Sequence, residues 1–413
     1  MRLTMPQLFP GSTPIVRRFL LGVLMNSLGG GLTLPVLVIY LHSVRGISLL
    51  MSSLVLSWMA LVGLVASPFF GSLVDRLGPR RVLRFGVACC VLGALGWIKV
   101  HSFGEALLVG AIVSIANSAT WPPQTTLVAR LVDEDQRQKL FGWQFMMLNL
   151  GLGLGGLISA AIVDLHHPVT FTYLYLLDAL SFAVFFIFIS SLRGEGEAPP
   201  KDESDSQAKE GYREVLRDRL FMRLNLTSVI MLTCGYASLD GGMPVLLSTV
   251  GHLPVKALGP IWAVNTGVIV VSQLFVLKRI EGRSRTKLLG LVGLLWASCW
   301  LLIWIGVGMS PIWTFIFAAA GVGVFALGET LWSPIGPTLA NELAPEHLRG
   351  RYSAVTSLVW VISGALGPAI SGLMLSAHWV TGWFVLLICG ALGAGLMGVR
   401  LGAAFTAKQD GRA

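Results

Sequence analysis

Apolar runs of about twenty residues recur along this whole chain, and they leave it little choice of fold. About twenty apolar residues in a helix cross a bilayer, and a helix pairs its own N–H and C=O groups where no water is available to do so. Such runs are read near residues 19–41, 49–70, 82–100, 105–127, 140–163, 170–191, 224–248, 257–277, 288–308, 312–336, 352–376 and 382–402. With 54% hydrophobic residues, 12% charged residues and a mean hydropathy of +0.74 over 413 residues, a soluble globular fold is excluded. The expected class is an all-α membrane protein of twelve transmembrane helices.

Charge placement orients these spans. Of the 30 Lys and Arg residues, 27 fall on one side of the alternation, leaving Arg45, Lys99 and Lys256 on the other. By the positive-inside bias, both termini and the long central connection are expected in the cytoplasm of a multi-pass plasma-membrane protein. That alternation requires an even number of spans. The net charge of +9 therefore does not indicate nucleic acid, because no basic domain lies outside the spans to bind it. All five cysteines, Cys89, Cys90, Cys234, Cys299 and Cys389, lie in apolar runs, without disulfide or metal spacing. Arg17 and Arg18 precede a run too long for a cleaved signal, which reads as the first span.

An internal repeat divides the chain. A shift of 212 residues brings Pro122 onto Pro334, Thr126 onto Thr338, Leu131 onto Leu343, Glu134 onto Glu346, Arg137 onto Arg349 and Gly155 onto Gly367. A shift of 209 brings Pro35-Val36-Leu37 onto Pro244-Val245-Leu246. Two pseudo-symmetric six-helix halves, 1–191 and 220–413, account for this, since a duplicated unit unable to enclose a pathway alone is common in transporters. Between them, 192–219 reads as a cytoplasmic linker with an amphipathic helix. Its first part is rich in acids, Ser, Gly and Pro and reads as mobile, whereas 212–223 alternates charged and apolar residues at helical spacing and reads as a surface helix.

The connection Gly71-Ser72-Leu73-Val74-Asp75-Arg76-Leu77-Gly78-Pro79-Arg80-Arg81 concentrates one acid and three arginines between two apolar runs. Glycine there permits a sharp turn, and an acid and arginines can bind helix ends of opposite polarity. A solvated loop that only sets orientation is the simpler alternative. The order of Gly71, Leu73, Asp75, Arg76, Gly78, Arg80 and Leu83 resembles the loop between spans 2 and 3 of the major facilitator superfamily; Pro79 stands where that family usually has a basic residue. The resemblance implies a twelve-span fold in which this loop is a conformational latch (Gly71, Asp75, Arg76, Gly78, Arg80), with Asp75 near a helix start in the second half.

The fifth span carries Gly142, Gly151, Gly155 and Gly156, followed by Ser159 and Ala160. Small residues at such spacing let helices pack backbone to backbone, and that reading suffices by itself. The pattern also resembles the fifth-span motif of the drug:proton antiporter branch, with Gly156 replacing its proline. Ser363, Gly367, Pro368, Ser371 and Gly372 echo it in the second half. The branch usually has an arginine within span 4, and the run from Glu105 to Leu127 has none.

Acids within apolar runs are expensive and therefore candidates for function. Asp240, beside Gly241, Gly242 and Pro244, and Glu329, paired with Asn117 by the 212 shift, are candidates for proton or cation coupling. The resemblance implies that spans 1, 4, 7 and 10 line a central cavity, which both could face. Locking two helices by a hydrogen bond is the alternative for each. The resemblance implies that the sixth span is peripheral, so Asp178 within it reads as a structural hydrogen bond, with a functional role as the alternative. Substrate-cavity candidates are Asn26, Asn117, Gln144, Asn149, Tyr236, Trp262 and Asn265, with Tyr40, Trp58, Trp121 and Trp332 as further aromatic or amphipathic positions. Aromatic faces suit flat lipophilic cations, although Trp is also a common interface anchor.

His166-His167 has no partner at metal spacing. The span 5 glycines form no phosphate loop, and neither a nucleotide-binding motif nor a nucleophile with its base is found. An enzyme is not expected, and no cofactor is called for. The expected function is proton-coupled efflux of small amphipathic or drug-like compounds by a monomer using alternating access. Its partners are the small-molecule substrate, protons and the lipid bilayer. Import of a nutrient by proton symport is the alternative within transport; a membrane sensor would call for an output domain that the short linker and tail do not supply.

Overall fold

A computed structural model describes residues 12–164, 167–191, 211–254 and 257–412. Residues 192–210 of the predicted linker, His166 and Lys256 lie outside the described residues. Among the described residues there are twelve helices long and apolar enough to cross a membrane. These spans 1 to 12 are Pro14–Val44, Leu54–Leu77, Pro79–Ile98, Phe103–Leu131, Glu134–Ile162, Val169–Ser191, Arg219–Gly241, Leu258–Ile280, Arg285–Val307, Pro311–Leu343, Glu346–Ser376 and Val380–Leu401.

Several ends differ from the sequence-based expectation for local reasons. The helix of span 2 runs from Leu49 to Leu77, so most of the expected loop is helical. The turn is confined to Gly78, at φ 83°, a conformation that favours glycine. Pro79 then occupies the first position of the next helix, where its missing N–H costs nothing. The expected surface helix over 212–223 is split. Tyr212–Arg217 is one short helix, and Asp218 ends it and caps the next by accepting a hydrogen bond from Phe221 N at 3.0 Å.

Span 4 continues beyond the expected end at residue 127 to Leu131, interrupted after Ser118, where Pro122 and Pro123 begin its second part. Span 7 was expected over 224–248, with Gly241, Gly242 and Pro244 able to open the helix locally. It breaks at Gly242 before Met243–Thr249, and it also contains a π-helical turn over Thr233–Ala237, which was not expected. Pro244 has no N–H to offer the carbonyl of Asp240.

The chain forms two compact units. The first comprises Met1–Gln136, Trp143–Gln207 and Ala344–Ser357; the second comprises Arg137–Gly142, Ala208–Leu343 and Leu358–Ala413. Short segments at the starts of spans 5 and 11, equivalent under the 212 shift, are thus grouped with the other half of the sequence.

Within each unit, glycines permit equivalent close approaches. In the first, a Cβ on Gly151 would lie 2.6 Å from the carbonyl oxygen of Leu24, and one on Gly155 would run into that of Leu28, so span 5 lies directly on span 1. In the second, a Cβ on Gly367 would run into Ala237, and one on Gly241 would lie 2.7 Å from Pro368, so span 11 lies on span 7 in the same way. Gly142 faces Leu277 and Gln273 of span 8, while Gly156 faces open space. The core of the second unit is aromatic: Trp300 and Trp383 meet edge to face at 5.2 Å, and Trp304 stacks on Phe384 at 5.5 Å.

Candidate functional site

In the second unit, Glu329 of span 10 is only 4% exposed. The side-chain amide of Asn265, from span 8, donates to its Oε2. Two turns along span 8, Gln273 is fully buried and donates to the carbonyl of Thr330 at 3.2 Å. Span 8 therefore grips span 10 through one amide on the acid itself and another on the carbonyl of the next residue. Beside Glu329, Gly328 makes room for the indole of Trp296, whose N–H donates to Phe325 O at 3.2 Å.

The π-helical turn in span 7 places Tyr236 against this group. Its ring meets Trp296, Phe325 and Trp360 edge-on, at 5.4, 5.3 and 5.0 Å. Its hydroxyl is within electrostatic reach of Glu329 and has no well-formed hydrogen bond of its own. A buried hydroxyl in that state is costly unless a ligand, water or rearranged carboxyl meets it. Asp240, four residues after Tyr236, lies within reach of the charge on Glu329 but is exposed. Two acids in one neighbourhood thus differ, one enclosed and one open. Trp262, one turn from Asn265, is half-buried, and Trp332 tilts over Trp296 at 6.2 Å.

The remaining cavity candidates lie in the first unit. Asn26 is half-buried with its Oδ1 unpartnered. Gln144 is buried and donates to Gln124 Oε1 at 3.3 Å. Asn149 bonds its own helix at Phe145 O, 3.0 Å away, and Asn117 is exposed just before the interruption of span 4. Tyr40 is committed to structure: it donates to Trp97 O at 2.8 Å and accepts from Arg45 Nε at 2.7 Å. Trp58 donates to Leu107 O at 3.0 Å, and Trp121 is exposed.

The first unit also contains the Asp75 site. Gly350 N donates to Asp75 Oδ1 at 2.6 Å and Arg351 N to Oδ2 at 3.2 Å, while Arg351 Nη1 lies 3.3 Å from Oδ2. These donors lie in the first turn of the helix that begins at Arg349, so the carboxylate sits on the positive end of span 11. A Cβ on residue 350 would lie 2.5 Å from both Asp75 Oδ1 and the carbonyl of Gly71; glycine is what lets the two backbones close. Arg130, which the extended helix brings into span 4, is within electrostatic reach of Asp75 and Glu346.

The arginines of the motif diverge in their surroundings. Arg80 donates to Ser190 O at 2.6 Å and Ile189 O at 3.3 Å, binding the negative end of span 6. Arg76 is exposed.

Asp178 accepts from Thr33 Oγ1 at 3.0 Å, tying span 6 to span 1 where the latter passes into a 3-10 turn at Leu34–Val36. Its other oxygen is pressed against Gly29, where no Cβ would fit. No group of three or more His, Cys, Asp or Glu side chains positioned to hold a metal occurs among the described residues. His167 Nδ1 lies 2.7 Å from Asp164 Oδ2.

Gln273, Gln124, Trp296, Phe325 and Trp360 were not among the sequence candidates. The spacing of Asn265 and Gln273, eight residues apart on one helix face, was the available signal for the former. The aromatic residues could not be separated by sequence from packing residues.

Twelve apolar helices with carboxylates buried among them define a polytopic membrane protein. The family model for the Major Facilitator Superfamily matches residues 19–368, and the chain belongs to that superfamily of secondary transporters. Among its relatives, the uncharacterized MFS-type transporter YhjO of Bacillus subtilis is 26% identical over 370 residues, covering 89% of this chain and 87% of that protein. The quinolone resistance protein NorA of Staphylococcus aureus is 28% identical over 162 residues, 39% of this chain and 42% of that protein. In fold, the chain is similar to a bacterial homologue of the iron transporter ferroportin in an outward-facing state, with a TM-score of 0.79, 15% identity and coverage of 95% and 100% of the two chains. The human organic anion transporter MFSD10 (TETRAN) superposes with a TM-score of 0.72 at 17% identity, covering 95% and 100%.

Proposed function

We propose that the chain exports small amphipathic or drug-like compounds in exchange for protons, through two sequence halves joined by the 192–219 linker and working by alternating access. The observation that carries this reading is the enclosure of Glu329. A carboxyl held by one amide, beside an aromatic hydroxyl and within reach of an exposed second acid, can pass between neutral and charged forms as its access to water changes. The adjoining rings of Tyr236, Trp296, Phe325 and Trp360 offer faces and edges suited to a flat lipophilic cation. The partial relatedness to a quinolone resistance protein and the small-residue motif of span 5 support export over import. The absence of an arginine between Glu105 and Leu127 favours import by symport, which is the second reading.

In this mechanism Asp240 meets proton or substrate from the open side, and Glu329 holds the proton while the substrate is absent. Asp75 on the start of span 11 closes the latch and is released when the cycle turns. The test is transport of ethidium in proteoliposomes under an imposed pH gradient, run in both directions. Ethidium moving against protons supports the exporter. Uptake of metabolites alongside protons, with no movement of any lipophilic cation in a broad panel, overturns it in favour of the symporter.

A further inference from the structure

We propose that Asp410 is a positioning residue for Arg285: from the tail after span 12, it holds that arginine against the start of span 5 and thereby sets a clasp. Asp410 is 1% exposed, an unusual burial for an acid in a tail segment, and three of its atoms are engaged at the start of span 9. Ser284 Oγ donates to its Oδ2 at 2.6 Å, Thr286 N to its Oδ1 at 2.8 Å, and Arg285 N to its carbonyl at 2.8 Å. Arg412 Nε approaches Oδ2 at 2.7 Å, and Phe405 is buried, so the tail is seated as a unit.

This arrangement holds Arg285, itself buried. Its Nη1 donates to Gln409 O at 2.7 Å and its Nε to Gln138 Oε1, in span 5, at 2.8 Å. Around that bridge, Arg137 of span 5 lies 3.4 Å from Glu342 of span 10, both nearly buried, and Gln409 Nε2 donates to Glu342 O at 3.3 Å. Lys139 adds an exposed pair with Glu281 at 2.7 Å, which contributes little by itself. The ends of spans 5, 8, 9 and 10 are therefore tied together in the second unit.

The repeat supplies an independent argument. Under the 212 shift, Gln138 and Lys139 occupy the positions of Gly350 and Arg351, which hold Asp75 in the first unit. Arg130 and Glu342 are likewise equivalent, with the charge reversed. In the first unit Arg80 binds the carbonyls at the end of span 6, and in the second Arg285 binds a carbonyl in the tail after span 12. Where Asp75 reaches a helix start directly, the second unit reaches its helix start through Arg285, and Asp410 keeps that arginine in place.

The test is hydrogen–deuterium exchange of the full chain in lipid nanodiscs, which needs no knowledge of the substrate and is therefore separable from the exporter reading. Asp410→Asn is expected to speed exchange roughly tenfold at 284–288 and also across 134–142, as on loss of a charge-assisted hydrogen bond. Asp410→Glu is expected to recover most of the protection in 134–142. Gln138→Ala removes only the bridge and is expected to loosen 134–142 while 284–288 stays protected; it decides the matter alone if Asp410→Asn does not fold. Faster exchange confined to 284–288 and 403–412 in Asp410→Asn, or normal exchange at 134–142 in Gln138→Ala, overturns the proposal and leaves Asp410 a local helix cap.

Discussion

At the scale of single residues, the two principal acids differ in how they are partnered. Asp75 is matched by two backbone N–H groups and a guanidinium. Asp75→Asn keeps one acceptor and loses the ion pair. A loss of about 2 kcal/mol, more than tenfold in a two-state equilibrium, is expected to slow transport at least that much while leaving substrate binding intact, as read by initial rates and equilibrium binding on the same preparation. Glu329 has one amide donor and is buried. Glu329→Gln keeps the shape and removes the exchangeable charge, so transport by this variant is expected to become independent of the imposed pH gradient. Unaltered pH dependence would clear Glu329 of proton duty. Asp178 is a contrasting case. An asparagine can still accept from Thr33, so Asp178→Asn is expected to leave thermal stability unchanged, whereas Asp178→Ala gives up a hydrogen bond worth about 0.6–2 kcal/mol between membrane helices.

At the scale of the element, close helix contact depends on particular glycines rather than on small residues in general. Gly155 lies on the backbone of span 1 and Gly156 one residue later faces open space. Gly155→Ala is expected to cost about 1–3 kcal/mol through overpacking and to lower the melting temperature in detergent, while Gly156→Ala is expected to change nothing measurable. The same reasoning explains why the small-residue motif was readable as a packing face, but not which of its members packs. Rotation of the helix decides that, and rotation depends on the neighbour. Span 7 makes the point more strongly. Its π-helical turn admits one extra residue and re-aims Tyr236, Asp240 and all that follows. Helical periodicity read from sequence cannot place an insertion that leaves no mark on composition.

At the scale of the whole molecule, hydropathy and charge bias are sums over long segments and survive local error. Twelve spans were therefore legible although several ends were not, and the superfamily was legible from the order of residues around Asp75. Helix ends were misplaced where polar residues remain helical, as in 71–77, because a charged residue near the membrane surface can extend its side chain outward without ending the backbone hydrogen-bond ladder. Transport of a lipophilic cation against protons is the prediction that belongs at this scale, since it requires both acids and both sequence halves.

Sequence alone determined what depends on local composition: a polytopic helical membrane protein, its repeat, and the candidate acids as rare charges in apolar text. Tertiary structure decided which partners those acids have. Asn265 meets Glu329 across 64 positions, Gly350 meets Asp75 across 275, and Asp410 meets Thr286 across 124. Such pairings follow from helix rotation, kinks and the seating of a short polar tail, which arise only when apolar faces pack, and packing is a property of surfaces that the linear order of residues does not display.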